Sequence, residues 1–461
     1  MKKILMRSAM DPLAVLTPAE AVTQDVMNGN TGNMLFVHSI TRTLLQEDTV
    51  IDATRTGRNF SGEEIDRING EYDCMVIPLA NAFRPNFTDE LDYMTRLVRK
   101  LKIPCVVAGV GVQAKLGESM EQEFEFDRSA VNFIRAVLDK SAMIGVRGEV
   151  TAAYMKKLGF TEEKDFTVIG CPSMYLRGDE LPLRMPEKLD WTLKVSVNRK
   201  INIPARLHKF LYDAQMQFED AMFVPQGVDD LLLLYAGRFI DRNRYPKIHE
   251  TYPWKLNSPI CCDGHEIGFT NVPSWLEFLG ERDISFGSRI HGNVAALISG
   301  TPAYIFAPDA RILELARYHN IPHMEAKDIN KKTDILEIFA QTDLLSAQKG
   351  HRERFDHYLD FLEANGLEHV FGEERRNRRT RFDGIIESQE YPAGITALNL
   401  QSLDEQSDRL ENYYRFVSEQ YGSLHNLERY AKVEKTLISL LERSPSGMKK
   451  LLKTGIKRVV D

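Results

Sequence analysis

The stretch Asp283-Ile284-Ser285-Phe286-Gly287-Ser288-Arg289-Ile290-His291-Gly292-Asn293-Val294-Ala295-Ala296-Leu297-Ile298-Ser299-Gly300 decides the fold. Its first four residues form a strand-like run and its glycine-flanked centre a turn. Asn293 to Ile298 reads as a helix that stops at Ser299-Gly300, with Pro302 just beyond. Strand, turn and helix in direct succession is how parallel α/β sheets present an anion site: unpaired backbone N–H groups and the positive helix pole meet there. Arg289 adds a fixed cation able to grip phosphate or carboxylate with two parallel bonds. His291 adds a group that titrates near neutrality and can donate a proton. Taken alone, the same pair serves equally well as a cap or an internal salt bridge. After the next strand, Ala307-Pro308-Asp309 turns into a helix expected to bury Ile312, Leu315 and Ala316 and to hold Glu314 outward.

Working outward, the same alternation recurs on both sides. Strand-like runs at Cys74–Leu79, Ile103–Gly109, Met143–Val146 and Thr167–Gly170 are separated by helical patterns at Leu91–Leu101, Val131–Leu138 and Val150–Leu158. A polar, proline-bearing stretch from Leu181 to Glu187 reads as a linker. Further strands follow at Leu193–Val197, Ala221–Pro225, Asp283–Phe286 and Pro302–Ala307. Apolar strands between helices mean buried parallel sheets. The expected fold is therefore α/β, with two doubly wound Rossmann-like domains, 1–185 and 186–344, facing a ligand cleft at their strand ends. From 345 to 461 strands give way to a helical extension, with helices at Arg352–Leu362, Ser402–Glu419 and Leu424–Leu441. Its basic run Arg375-Arg376-Asn377-Arg378-Arg379-Thr380-Arg381 and basic tail Met448–Lys453 have two readings: solvated charge, or attraction to an anionic membrane surface or polymer. Long terminal helices also serve often as homo-oligomer contacts.

Composition closes off several classes. Of 461 residues, 43% are apolar and 27% charged, which is ordinary for a globular protein. A net charge of -7 argues against a general nucleic-acid binder. No run of about 18 apolar residues is present to span a bilayer, and Met1 to Asp11 does not read as a signal peptide. Five cysteines do not make a disulfide framework. Adjacent Cys261 and Cys262, with His265 nearby, suit one tetrahedral ion poorly, so no metal site is expected. A reduced, cytoplasmic setting fits best.

The segment Ser288-Arg289-Ile290-His291-Gly292, followed by Ala295-Ala296-Leu297-Ile298-Ser299-Gly300-Thr301-Pro302, resembles the signature of the polysaccharide pyruvyltransferase family, whose fold is that of the two-domain (GT-B-like) glycosyltransferases. Gly29-Asn30-Thr31-Gly32-Asn33 resembles the family's N-terminal glycine turn, with Asn33 where an Asp is usual. Ile144-Gly145-Val146-Arg147-Gly148 resembles a Val-Arg-Asp segment, with Gly148 in place of the Asp. Gly170-Cys171-Pro172 stands where the family has Gly-Asp-Pro, and Val195-Ser196-Val197-Asn198-Arg199 resembles a strand ending in an arginine at the cleft. The likeness spans about residues 25–325.

The resemblance implies an enzyme that moves the enolpyruvyl group of phosphoenolpyruvate onto sugar hydroxyls and forms a pyruvate ketal. Such a product belongs to exopolysaccharide or other cell-envelope biosynthesis. It implies that Arg289 and Arg199 hold the donor, that Ser288, Ile290 and Gly292 line it, and that His291 is the acid that protonates its methylene carbon. No cofactor or metal is implied, since arginines neutralise the leaving phosphate. Asn30, Gly32, Asn33, Arg147, Gln226 and Asp309 are the remaining cleft candidates. The general base stays open among Asp309, Glu149 and the pair Asp229-Asp230. Tyr245, Tyr252 and Trp254 can stack on a sugar or pack their own loop. The acceptor is an oligo- or polysaccharide, free or lipid-linked; a lipid-linked one places the work at the inner membrane face. Two rivals keep the same scaffold: a glycosyltransferase using a nucleotide-sugar donor, and a non-catalytic glycan- or anion-binding relative.

Overall fold

The computed structural model describes residues 1–54 and 59–421. The expected helix at 424–441 and the basic tail at 448–453 lie outside the described residues.

Eleven strands were found among them, and every ladder is parallel. Strands β1 (Lys2–Arg7), β2 (Thr49–Thr54), β3 (Cys74–Pro78) and β4 (Cys105–Ala108) form a sheet in the order β2-β1-β3-β4. Strands β5 (Ile144–Val146) and β6 (Phe166–Val168) extend it, because Gly109 N–H donates to Gly145 O at 2.8 Å and Val110 bridges Val146. The second sheet joins β7 (Lys194–Asn198), β8 (Asp220–Phe223), β9 (Ile284–Gly287), β10 (Ala303–Ala307) and β11 (His323–Glu325) in the order β11-β10-β9-β7-β8. Each central strand is a short apolar run buried on both faces, as in Cys74–Pro78 and Ala303–Ala307. The crossover helices are amphipathic and charged at the correct poles. Thr88–Lys100 opens with Asp89 and Glu90, ends with Arg99 and Lys100, and buries Leu91, Met94 and Val98. The architecture is thus α/β, with two Rossmann-like halves facing a cleft in the GT-B manner. The first strand pair was not anticipated, since Ile4-Leu5-Met6 is too short a run between charges to announce itself.

The helix Ala310–Tyr318 overturns one expectation. Glu314 does not face outward; it is only 3% exposed, buried between the two halves.

The C-terminal helices are not a free appendage. His351–Ala364 packs on the first half, with Tyr358 stacked on Tyr175 at 4.8 Å and the Asn365 side chain accepting from Ala142 and Met143 N–H. Leu403–Tyr421 lies against both Pro18–Thr23 and Val228–Ala236, burying Leu410, Tyr413 and Val417. Much of the basic run is consumed internally. Arg375 pairs with Asp360 and Glu363, Arg379 with Glu387, and Arg381 binds the carbonyls of Gln46, Glu47 and Thr49.

The strongest clasp is Arg42 in the helix Thr31–Leu44. It holds Asp383 with two bonds of 2.7 and 2.8 Å and also donates to Leu176 O and Arg378 O. Burial alone would raise the Asp383 carboxyl; Arg42 and the Thr380 N–H outweigh it and hold it below 3.8. Asp383→Ala leaves a buried guanidinium uncompensated and is expected to cost about 2–3 kcal/mol in urea unfolding at pH 7. Because the folded value is depressed, this stability is present above pH 4 and lost as pH falls further. The gap between wild type and variant should therefore close in acid; a gap independent of pH would show that the ion pair is not the source.

Candidate active site

The two sheets turn the C-terminal ends of their strands toward a shared cleft of about 410 Å³. One wall is the turn that opened the sequence. Gly287 has φ 150°, and a Cβ there would sit 1.9 Å from Asn198 O, so only glycine lets β9 approach β7 this closely. Asn198 then organises the turn: its carbonyl accepts from Ser288 N–H at 2.9 Å and its side-chain oxygen from Arg289 N–H at 2.8 Å. The Ser288 hydroxyl accepts from Lys200 N–H. The helix begins at Ile290, earlier than expected, and presents its positive pole to the cleft alongside Ser288, Arg289 and His291.

The opposite wall comes from the first half. Asn30 caps the helix Thr31–Leu44, its side chain accepting from Gly32 N–H at 2.8 Å. Thr31 N–H donates across the cleft floor to Gln226 O at 2.9 Å, and Asn30 bridges Gly227, so backbone bonds tie the halves together. Gly32 is required by closeness: a Cβ would meet His291 Nδ1 at 2.3 Å. Asn33 donates to Met27 O and Asn28 O, a task that a carboxylate at this position is unable to perform. Gln226 is buried and lines the cleft, its amide nitrogen lying over Gly292.

The charges are lopsided. Arg147 lines the cleft, is 2% exposed, and has Nε and Nη2 without a partner. Burial pulls its guanidinium down to about 10, still charged at neutrality. Arg289 donates Nε–H to Arg199 O and, among the described residues, is in no salt bridge. Lys200, Arg84 and Arg311 complete the ring. Just behind it Asp309 lies 3.4 Å from both Lys200 Nζ and Arg311 Nη2, while the buried carboxyls of Asp230 and Glu314 act on Arg289 and Arg147. His291 sits inside this ring. Burial first, then Arg147, Arg311 and Arg289, push its imidazole from 6.5 down to about 3, so the ring is neutral at pH 7. Its Nε2 lies 3.8 Å from the Cys171 thiol, where the resembling family carries a carboxylate.

Some candidates are not brought together. Arg199, expected at the donor, turns away: it is fully buried in the second half, stacked over Phe223, Tyr212 and Tyr252 and bonded to Thr251. Alternation along the chain end sends residue 199 inward and its neighbour Lys200 to the cleft. Asp309 is a cap for Ile312 N–H held between two cations. Glu149 is exposed, Asp229 pairs with Arg244, and Asp230 is buried on Tyr252 and Gly227. Tyr252 is buried, Tyr245 bonds Asp229, and neither lines the cleft; Phe36, Phe87 and, from the C-terminal extension, Tyr391 do. Gly109 and Gly111 make a turn beneath the site, against Phe36 and Arg147. Cys261 bonds Glu266 and Cys262 bonds Leu256 O. Arg84 and Lys200, in loops, and Arg311, in the first turn of the helix Ala310–Tyr318, were missed because isolated basic residues carry no spacing signal.

The missing Asp at Gly148 is made good from the other half. Glu314 accepts from Thr151 N–H at 3.0 Å and from its hydroxyl, at the start of the helix Glu149–Lys157, and a Cβ on Gly148 would touch it at 3.0 Å. A carboxylate thus reaches the same helix end by another route.

The family model for polysaccharide pyruvyl transferase matches residues 30–310. Among curated proteins none matches this sequence. Similar solved structures include an uncharacterised protein from Klebsiella pneumoniae, 11% identical, covering 70% of this chain and 92% of its own, with TM-score 0.35. HepE of Anabaena in complex with UDP is 11% identical, with 79% and 98% covered and TM-score 0.40. Sucrose-phosphate synthase from Thermosynechococcus elongatus is 10% identical, with 79% and 96% covered and TM-score 0.42.

Burial raises the Glu314 carboxyl from 4.5 to about 7. The folded state then binds more protons than the unfolded chain between those values, so wild-type stability falls as pH rises through that window. Glu314→Gln removes the dependence. Urea unfolding at pH 4.5 and 8 should show the difference between wild type and variant moving by roughly 3 kcal/mol against the wild type. Parallel profiles would mean that Glu314 keeps an ordinary acidity.

Proposed function

The chain belongs to the polysaccharide pyruvyl transferase family, and from that premise we propose that it transfers the enolpyruvyl group of phosphoenolpyruvate to two hydroxyls of a glycan, giving a pyruvate ketal. The observation that carries this reading is Arg147, a buried guanidinium with unpartnered N–H groups facing a cleft that also holds Arg289 and His291. A buried cation without a partner is costly unless a ligand supplies the anion. The donor brings a phosphate and a carboxylate for Arg147, Arg289, Lys200 and the helix end.

The electrostatics then dictate the order of events. His291 is neutral while the cations around it are unbalanced. Binding an anion reverses the local field, raises the imidazole and loads it with a proton. The imidazolium protonates the methylene carbon, leaving a cationic centre at the carbon bearing phosphate. One sugar hydroxyl adds there and returns its proton to the now neutral imidazole; a second displaces phosphate, which carries off the remaining proton, and closes the ketal. A positioned acid contributes about 10²–10⁴-fold, and preorganised cations stabilise the departing phosphate. Cys171 cannot hold the imidazolium as a carboxylate would, so the donor supplies the counter-charge to its own catalyst.

Calorimetric titration with phosphoenolpyruvate at pH 7, in buffers of different ionisation enthalpy, should reveal net proton uptake on binding. His291→Asn should lose the histidine's share of that uptake, bind within a few-fold of wild type, and fail to turn over. Arg147→Ala should weaken binding by about 10–100-fold. Binding of a nucleotide sugar in place of phosphoenolpyruvate, or full activity of the His291 variant, sinks the reading.

A further inference from the structure

The sheet orders put two crevices on the cleft. In the second half the chain reverses direction across the sheet between β7 and β9, the switch point where Lys200 and Arg289 emerge. In the first half the reversal falls between β1 and β3, and the loops leaving those strands carry Arg7–Met10 and Leu79–Arg84 into the same cleft. The donor reading uses only the second crevice and Arg147. The first is also built for a ligand.

Its charges exceed what the donor needs. Arg7 is neutralised by Glu90 at 2.8 Å and drops out. Arg84 has no such partner among the described residues. Its Nε is buried without a hydrogen bond, and its guanidinium lies 5.0 Å from the centre of the Phe87 ring. With its carbonyl turned toward them, the Asn81 amide accepts from Arg84 Nη1 and Arg311 Nη1, both at 2.9 Å, so two like charges are held side by side by a neutral group. Burial first, then Arg311, lowers the Arg84 guanidinium, the mark of a cation pair short of negative charge. Asp309 is the carboxylate in contact with Arg311 and already serves Lys200. Phosphoenolpyruvate brings about three negative charges at most, from a phosphate and a carboxylate; Arg147, Arg289, Lys200 and a protonated His291 suffice for these. Beside Phe87 at Arg84, the cleft is also lined by Met10, Leu16 and Tyr391, apolar and aromatic surfaces suited to the face of a sugar ring.

We infer that the crevice between β1 and β3 is an acceptor subsite in which Arg84, Arg311 and Asn81 bind an oxyanion carried by the acceptor sugar, a phosphate or a uronate. That this sugar is the acceptor rests on the pyruvyl-transfer reading; that the crevice binds an anionic sugar does not. Neutral glycans are then poor acceptors, and the enzyme acts on a charged precursor, upstream of any step that removes the charge.

The test is titration of the full chain with glucose 1-phosphate, glucuronate and methyl glucoside, each at saturating phosphoenolpyruvate. At least one charged sugar should bind and the neutral one should not; which one identifies the group. Arg84→Gln should weaken that binding about tenfold or more while leaving phosphoenolpyruvate within twofold, Arg84→Lys should restore much of it, and Arg289→Gln should do the reverse. Unchanged thermal midpoints show that the variants fold. The proposal falls if charged and neutral sugars bind alike, if none binds, if phosphoenolpyruvate displaces the charged sugar, or if Arg84→Gln damages donor binding as much as sugar binding. If phosphoenolpyruvate never binds but a charged sugar does so through Arg84, the donor reading falls and the subsite stands.

Discussion

The structure depends on a cluster of positive charge held around one neutral histidine. Arg147, Arg289, Arg311, Arg84 and Lys200 converge on a cleft, with Asp309 behind Lys200 and Arg311. Cations partly removed from water and set near one another oppose folding, so the surrounding structure has to hold them in place. It does so mainly with neutral groups. Asn198 fixes the Arg289 backbone, Asn81 separates Arg84 from Arg311, and Arg289 Nε–H rests on a main-chain carbonyl. Neutral acceptors orient a guanidinium without cancelling its charge, which leaves the charge available to an anion.

That arrangement needs two halves in fixed register, and much of the molecule provides it. The bond from Thr31 N–H to Gln226 O and the bridge between Asn30 and Gly227 join the halves at the cleft floor. Glu314 reaches from the second half to the Thr151 helix end in the first. The C-terminal helices brace the outside, through Arg42 and Asp383 on one side and Leu403–Tyr421 across both halves on the other. The extension also lends Tyr391 to the cleft, so it belongs to the site as well as to the scaffold.

The two-sheet plan and the turn at 287–292 were legible because each rests on a local pattern: apolar strands with helical periodicity between them, and a glycine-flanked strand-to-helix junction. The contributions of Glu314, Arg84, Lys200 and Tyr391 were not, because each is defined by a partner more than 80 residues away or by the side of the chain on which it emerges. Arg199 shows the limit sharply. The strand that carries it was read correctly, yet a single step along the chain exchanges Arg199 for Lys200 at the cleft. Similarly, the spacing that marked Ile312, Leu315 and Ala316 as buried left Glu314 as the outward residue, since periodicity does not register a second domain packed on the far face.

The departures from the family pattern follow one electrostatic logic. The carboxylate absent at Gly148 is replaced by Glu314, whose carboxyl is raised to about 7 and therefore carries only about half a negative charge at neutrality. The carboxylate absent at Cys171 is not replaced; the thiol beside His291 is itself raised by burial and stays neutral. Both changes lower the fixed negative charge beside Arg147 and His291. A site with a built-in carboxylate keeps its histidine partly charged whether or not the donor is present. Here, on the proposed chemistry, the acid exists only while the donor's anions lie in the cleft. Protonation of the enol is then coupled to occupancy, and a neutral molecule entering the same cleft meets a histidine with no proton to give.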